Sequence, residues 1–181
     1  DTVTIFRGPN IGTPPTNDPF PATVRGVASI KVGDKITTDH IIPAGALMKY
    51  RSNIPKYSEF VFGNVDPEFA SRAAKARDAG RHNVIVAGAS YGEGSSREHA
   101  AICPMFLGVK VVLAKSFQRI HTDNLVNFGI LPLTFADEKD YDGIAVGDEL
   151  EIADGPRALQ EGTPLAVRNI TRKTTIEAVQ S

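Results

Sequence analysis

Short apolar runs closed by glycine, with stretches of helical spacing between them, divide the chain into elements. Residues 83–87, Asn-Val-Ile-Val-Ala, carry β-branched side chains with no polar alternate and meet turn residues at once, which predicts a short buried strand. Residues 109–114 predict a second, so 83–114 reads as a βαβ-like unit with parallel pairing. Its helix is expected to start at a cap formed by Ser95 or Ser96, with Arg97 and Glu98 in the first turn and Ala101 and Ile102 on the apolar face. Phe117, Ile120, Asn124, Leu125 and Phe128 space a further helix over 117–127, ended by Gly129 and followed by a strand at 130–135. Asp66 and Pro67 open a helix over 66–78 that Gly80 ends.

Upstream of these, residues 23–32 approximate alternation and predict a strand ended by the Gly33-Asp34 turn. The polar groups of Thr38, Asp39 and His40 then fall at a strand end, a usual position for functional side chains. Residues 46–51 suit a helical turn that points Lys49 or Arg51 into a cleft, and 52–63 mix aromatic and polar residues without a clear period. Residues 148–152, 165–170 and 174–179 predict three short strands separated by Gly155-Pro156 and Gly162-Thr163-Pro164. At the start, residues 3–6 have strand character and 8–21 are too rich in proline and glycine for sheet or helix. Residues 1–22 therefore read as an extended connector continuing from an upstream segment, and 23–181 as one domain.

Composition adds exclusions. The chain's 181 residues suffice to bury a core without metal or disulfide staples. Lys plus Arg number 20 against 21 Asp plus Glu, so no whole-chain charge draws it to nucleic acid or to an acidic membrane. A single cysteine, Cys103, excludes an internal disulfide, suits a reducing compartment and leads to an expected cytoplasmic location. One thiolate also cannot ligate an iron–sulfur cluster unaided. No apolar run reaches transmembrane length.

The chemistry concentrates between residues 88 and 97. Gly88, Gly92 and Gly94 let the backbone approach a ligand closely, and the hydroxyls of Ser95 and Ser96 beside the Arg97 guanidinium suit a carboxylate or phosphate. A plain helix cap with a solvated arginine needs only one of these residues, whereas a ligand loop accounts for all of them. Gly88-Ala89-Ser90-Tyr91-Gly92 also matches the G-x-S-x-G nucleophile elbow. That reading fails on order, because glycines delay the helix and no histidine follows His121. Gly92-Glu93-Gly94 lacks the third glycine of a dinucleotide fingerprint, Arg97 standing in its place. No histidine or cysteine spacing makes a metal site.

Three segments taken in order carry a resemblance. Thr37-Thr38-Asp39-His40-Ile41, then Tyr-Gly-Glu-Gly-Ser-Ser-Arg-Glu-His-Ala-Ala at 91–101, then Lys115-Ser116-Phe117, Arg119-Ile120-His121, Asn124 and Gly129-Ile130-Leu131-Pro132-Leu133 resemble the C-terminal swivel domain of aconitases. The resemblance implies an α/β fold, the swivelling β/β/α domain with a mixed sheet and flanking helices, as one domain of a longer enzyme. It implies a hydro-lyase of the tricarboxylic acid cycle that isomerises citrate to isocitrate through cis-aconitate. Ser95 corresponds to the base, acting as alkoxide on a carbon next to a carboxylate, and Asp39 to an active-site acid. Ser96 and Arg97 match residues lining the substrate site, and Arg51 a second carboxylate-binding arginine. Ile42 departs from the serine frequent in mitochondrial members. A 4Fe-4S cluster is implied as Lewis acid for the departing hydroxyl, with its cysteines in other domains, so this domain alone is expected to be inactive. The alternative is the small subunit of 3-isopropylmalate dehydratase or homoaconitase, which shares the motif; Arg51 favours a third substrate carboxylate over an apolar branch. An RNA-binding module has no support in charge or aromatic spacing.

Overall fold

The computed structural model describes residues 6–181 and, for 158 and 159, the backbone alone. Seven strands among the described residues close into a barrel in the order β1-β2-β3-β4-β7-β6-β5. They are β1 (Val24–Val32), β2 (His82–Ala87), β3 (Val109–Ala114), β4 (Leu131–Phe135), β5 (Glu149–Ile152), β6 (Leu165–Asn169) and β7 (Thr174–Gln180). The first four pair in parallel. β5, β6 and β7 pair antiparallel, and antiparallel β4–β7 and β1–β5 ladders close the ring. The sheet is mixed and flanked by helices, as the resemblance implies.

The uninterrupted apolar runs follow from burial on both faces of the parallel strands. Val84, Val86, Val111 and Leu113 fill the barrel with Leu133, Ile152, Val167 and Ile176. Their alternates, Ile85, Ala87, Val112 and Ala114, pack outward under the helices. Those helices are α1 (Thr38–Ile41), α2 (Ile54–Ser58), α3 (Phe69–Asp78), α4 (His99–Phe106), α5 (Arg119–Asn127) and α6 (Gly155–Glu161). Buried Asn83 ties them to the sheet, donating to Ala73 O at 2.9 Å and to Leu107 O at 2.8 Å.

Several elements differ from expectation. Thr38, Asp39 and His40 lie in α1 and not at a strand end, because Thr37 forms a capping box with His40 that starts a helix there. α4 begins at His99 and not at the serines: Ala100 N donates to Arg97 O and Ala101 N to Glu98 O, so the helix starts three residues past Ser96. Asp66 does not cap α3 directly. It binds Glu68 N and Arg72 in a preceding turn, and the helix starts at Phe69. Asn53 caps α2 in the segment without a clear period, its side chain accepting from Lys56 N. Gly155-Pro156, read as a turn, starts α6.

Residues 6–22 carry no strand or helix. They lie against the body, with Gly12 N donating to Ser52 O at 2.8 Å and Lys110 Nζ to Asn17 Oδ1 at 2.6 Å. The strand expected at 3–6 falls, but for its last residue, outside the described residues.

Candidate active site

The segments following β1, β2 and β3 meet at the C-terminal edge of the parallel strands, where open α/β sheets collect their ligands. Gly92 N and Glu93 N both donate to Ile36 O, Thr38 N to Glu93 O, and Tyr91 N to Ser116 O. These bonds stitch the 88–98 segment to its neighbours on both sides as far as Glu93. Beyond that point the pairing stops. Among the described residues, the N–H groups of Gly94, Ser95, Ser96, Arg97, Glu98 and His99 donate to no protein acceptor. Gly92 at φ +87° and Gly94 at φ +99° give the turn that leaves this run of donors open, at angles that cost a side-chain-bearing residue strain. Ser95 and Ser96 are exposed on it.

Arg97 is held from two sides. Its Nη2 lies 2.7 Å from Asp39 Oδ1, and its Nη1 donates to Ile42 O at 3.2 Å. The Arg97 side chain is mostly covered, 15% exposed, while the Asp39 side chain is 63% exposed. Thr38 Oγ1 donates to Ser95 O at 2.9 Å, fixing the serine's backbone to α1. His99 Nε2 lies 3.0 Å from Arg51 O and donates to it, so the Arg51 backbone is fastened to the first residue of α4. Among the described residues Arg51 makes no ion pair, and its side chain is exposed beside the short 3-10 helix Gly45–Tyr50. The structure thus gathers Ser95, Ser96, Arg97, Asp39 and Arg51 at one edge through α1 and α4. Thr38 and His99 were given no positioning part by sequence reasoning.

The other candidates fall away. Ser90 takes φ +64°, its N–H donates to Ser116 Oγ, and its hydroxyl accepts from Gln118 Nε2 at 2.8 Å, so no histidine is its partner. His40 is spent on its capping box. Lys115 lies over the Tyr141 ring, 4.9 Å from its centroid, away from the serines. Cys103 is fully buried, and burial pushes its thiol up to about 12. Among the described residues no group of three or more His, Cys, Asp or Glu side chains is arranged around a metal position. No helix among the described residues is long and apolar enough to cross a membrane.

Comparison with known proteins gives concordant matches. The aconitase C-terminal domain family profile matches residues 36–138. Homocitrate dehydratase, mitochondrial, of Saccharomyces cerevisiae is 42% identical over 139 residues, covering 67% of this chain and 18% of that protein. Probable aconitate hydratase, mitochondrial, of Dictyostelium discoideum is 42% identical over 156 residues, covering 76% of this chain and 20% of that protein. The chain therefore spans about a fifth of the length of these relatives. The solved structure of 3-isopropylmalate dehydratase from Methanocaldococcus jannaschii is similar at a TM-score of 0.71 and 30% identity, covering 88% of this chain and 83% of that one. The relatives' names overturn the expected cytoplasmic location, since they are mitochondrial proteins. A single buried thiol reports a reducing setting and does not distinguish one reducing compartment from another.

Proposed function

Since the chain belongs to the aconitase C-terminal domain family, we propose that it is the domain of a longer hydro-lyase that supplies the base and the carboxylate clamps for converting citrate to isocitrate through cis-aconitate. The observation that carries this reading is the run of six open N–H groups around Ser95, next to a guanidinium already oriented by Asp39. A serine hydroxyl is a very weak acid, and it serves as a base only where its alkoxide is stabilised. Preorganised N–H donors and a nearby cation do this without reorganisation during the reaction.

In this reading Ser95 Oγ, as alkoxide, takes the proton from the carbon next to a carboxylate while the hydroxyl of the adjacent carbon leaves as water, and in the rehydration it gives the proton to that adjacent carbon while water adds to the first. Arg97 keeps donors free beyond those given to Asp39 and Ile42, and grips the adjacent substrate carboxylate. Ser96 adds a hydroxyl on the same turn. Asp39, the more exposed partner of the ion pair, is released toward the substrate hydroxyl when a substrate carboxylate takes over Arg97. Arg51 meets a further carboxylate. The residues of this chain do not fit the 4Fe-4S cluster that the family implies, because its one thiol is buried and held protonated. The cluster belongs to other domains of the longer protein, and the 181-residue chain alone is inactive.

The reading as a 3-isopropylmalate dehydratase small subunit is favoured by the similar solved structure. Arg51, exposed and without an ion-pair partner among the described residues, is available to a third substrate carboxylate, which the apolar branch of 3-isopropylmalate does not offer. The test is turnover of citrate, homocitrate and 3-isopropylmalate by the longer enzyme, with and without Ser95→Ala. We expect turnover of the tricarboxylates and none by the isolated chain. Ser95→Ala should lower kcat by about a hundredfold or more with KM little changed. Full turnover in Ser95→Ala removes the assignment of the base, and a preference for 3-isopropylmalate selects the second reading.

A further inference from the structure

Behind the turn that carries Ser95, buried polar atoms collect without partners. Among the described residues, Tyr91 Oη, both ring nitrogens of His121 and Asn124 Nδ2 bond to no protein group. His121 and Asn124 stand three residues apart on α5, on one helical face, and the Tyr91 and His121 rings lie 5.3 Å apart between centroids. His121 is only 3% exposed. Its ring occupies the space next to Gly92 so fully that a Cβ on Gly92 would overlap it. Beside His121 and Asn124 opens a cavity of about 550 Å³, bounded also by Thr38, Gly92, Gly94 and Ser96.

An apolar ring of the same shape would fill the place of His121 without leaving two nitrogens unsatisfied, and buried polar groups without partners lower stability. The usual partner for such a group is an ordered buried water bonded to two to four polar atoms. Tyr91, His121 and Asn124 supply donors and acceptors for one. Gly92, against which the imidazole rests, is also the residue where the 88–98 segment leaves its last backbone bonds and turns toward Ser95.

We propose that His121 is a positioning residue for Ser95: its imidazole seats Gly92 and, through a buried water shared with Tyr91 Oη and Asn124 Nδ2, fixes the turn that presents the serine hydroxyl. The claim rests on the reading of Ser95 as base only for its effect on turnover. The effect on the turn itself is independent. His121 contacts Gly92, three residues before the serine, and acts through the backbone.

The test has a structural and a kinetic arm. In the unaltered chain, imidazole nitrogen NMR should show one hydrogen-bonded neutral tautomer for His121. The backbone amide signals of Gly92, Gly94, Ser95 and Ser96 should be single and sharp. In His121→Phe, which keeps ring volume, and in Tyr91→Phe, those signals should broaden or double while signals from β6 and β7 stay in place. In the longer enzyme the same variants should lower kcat by between about tenfold and a hundredfold, with KM within about twofold of its value. His121→Gln, which restores a polar atom, should recover part of the loss. Mixed tautomers of His121 in the unaltered chain, or undisturbed turn signals in both variants, overturn the proposal. Disturbed turn signals with undiminished kcat overturn its link to turnover while the seating of Gly92 stands, and the base assignment is decided separately by Ser95→Ala.

Discussion

At the scale of single residues, the arrangement of Arg97 decides what the site can hold. Its two nitrogens engaged by Asp39 and Ile42 O orient the planar fork. A lysine keeps the charge and loses the fork. Arg97→Lys in the longer enzyme should therefore raise KM by roughly ten- to hundredfold, the loss of one charge-assisted hydrogen bond, with a smaller change in kcat. Steady-state kinetics checks this, and an unchanged KM would remove Arg97 from carboxylate binding. Ser95, Ser96 and Arg97 stand out in the sequence as candidates because a ligand loop accounts for the glycines, hydroxyls and guanidinium together, whereas a helix cap needs only one of them. The bonds that hold them are not legible. Thr38 reaches Ser95 across 57 positions and His99 reaches Arg51 across 48, and no local spacing encodes either. Ser90 is the opposite case, a motif match in sequence whose hydroxyl is occupied by Gln118 in the fold.

Among the elements, the late start of α4 matters most. A helix capped by Ser95 would turn the serine hydroxyl back onto N–H groups of its own first turn. Starting at His99, it leaves the donors of 94–99 open. Gly92 and Gly94 make this possible to different degrees. At Gly94 an alanine meets nothing closer than Thr38 Oγ1 at 3.9 Å and suffers only the positive φ, a cost of about 1–2 kcal/mol. At Gly92 the same change adds overlap with the His121 ring. Urea unfolding should accordingly rank Gly92→Ala below Gly94→Ala in stability, and equal loss in the two would show that His121 yields freely. The strands were legible to within a residue or so because both faces of the parallel set are buried and the runs are continuous. α6 was not, since Gly-Pro signals a turn and a helix start equally well. The closure of β1 on β5 was not either, because alternation tells which face a strand buries and not which neighbour it takes.

For the molecule as a whole, a closed barrel with one apolar lining and one apolar jacket has little polar interior, so each titratable group sealed in it couples pH to global stability. His121 is the largest such case among the described histidines. Burial lowers it from 6.5 to about 4. Above pH 6.5 the imidazole is neutral folded and unfolded and costs nothing. As pH falls below that, the unfolded chain takes up a proton that the folded chain refuses, so stability declines by about 1.4 kcal/mol per pH unit until the folded form also titrates near 4. The sum is about 3 kcal/mol, a large share of the stability of an ordinary domain. His82, lowered by burial and then by Lys110, adds in the same direction. Asp66, held low by its bonds to Arg72 despite some burial, acts in a separate window, its contribution vanishing as pH falls below 3.8. Unfolding curves from pH 7.5 down to about 2 should therefore show a first decline, between pH 6.5 and 4, that His121→Phe flattens, leaving only the His82 part, and a second, below pH 3.8, that the variant does not touch. The same pH slope in the variant and the unaltered chain would mean that His121 exchanges protons with solvent in the folded state, and a polar cluster open to solvent in that way would not hold Gly92 in place.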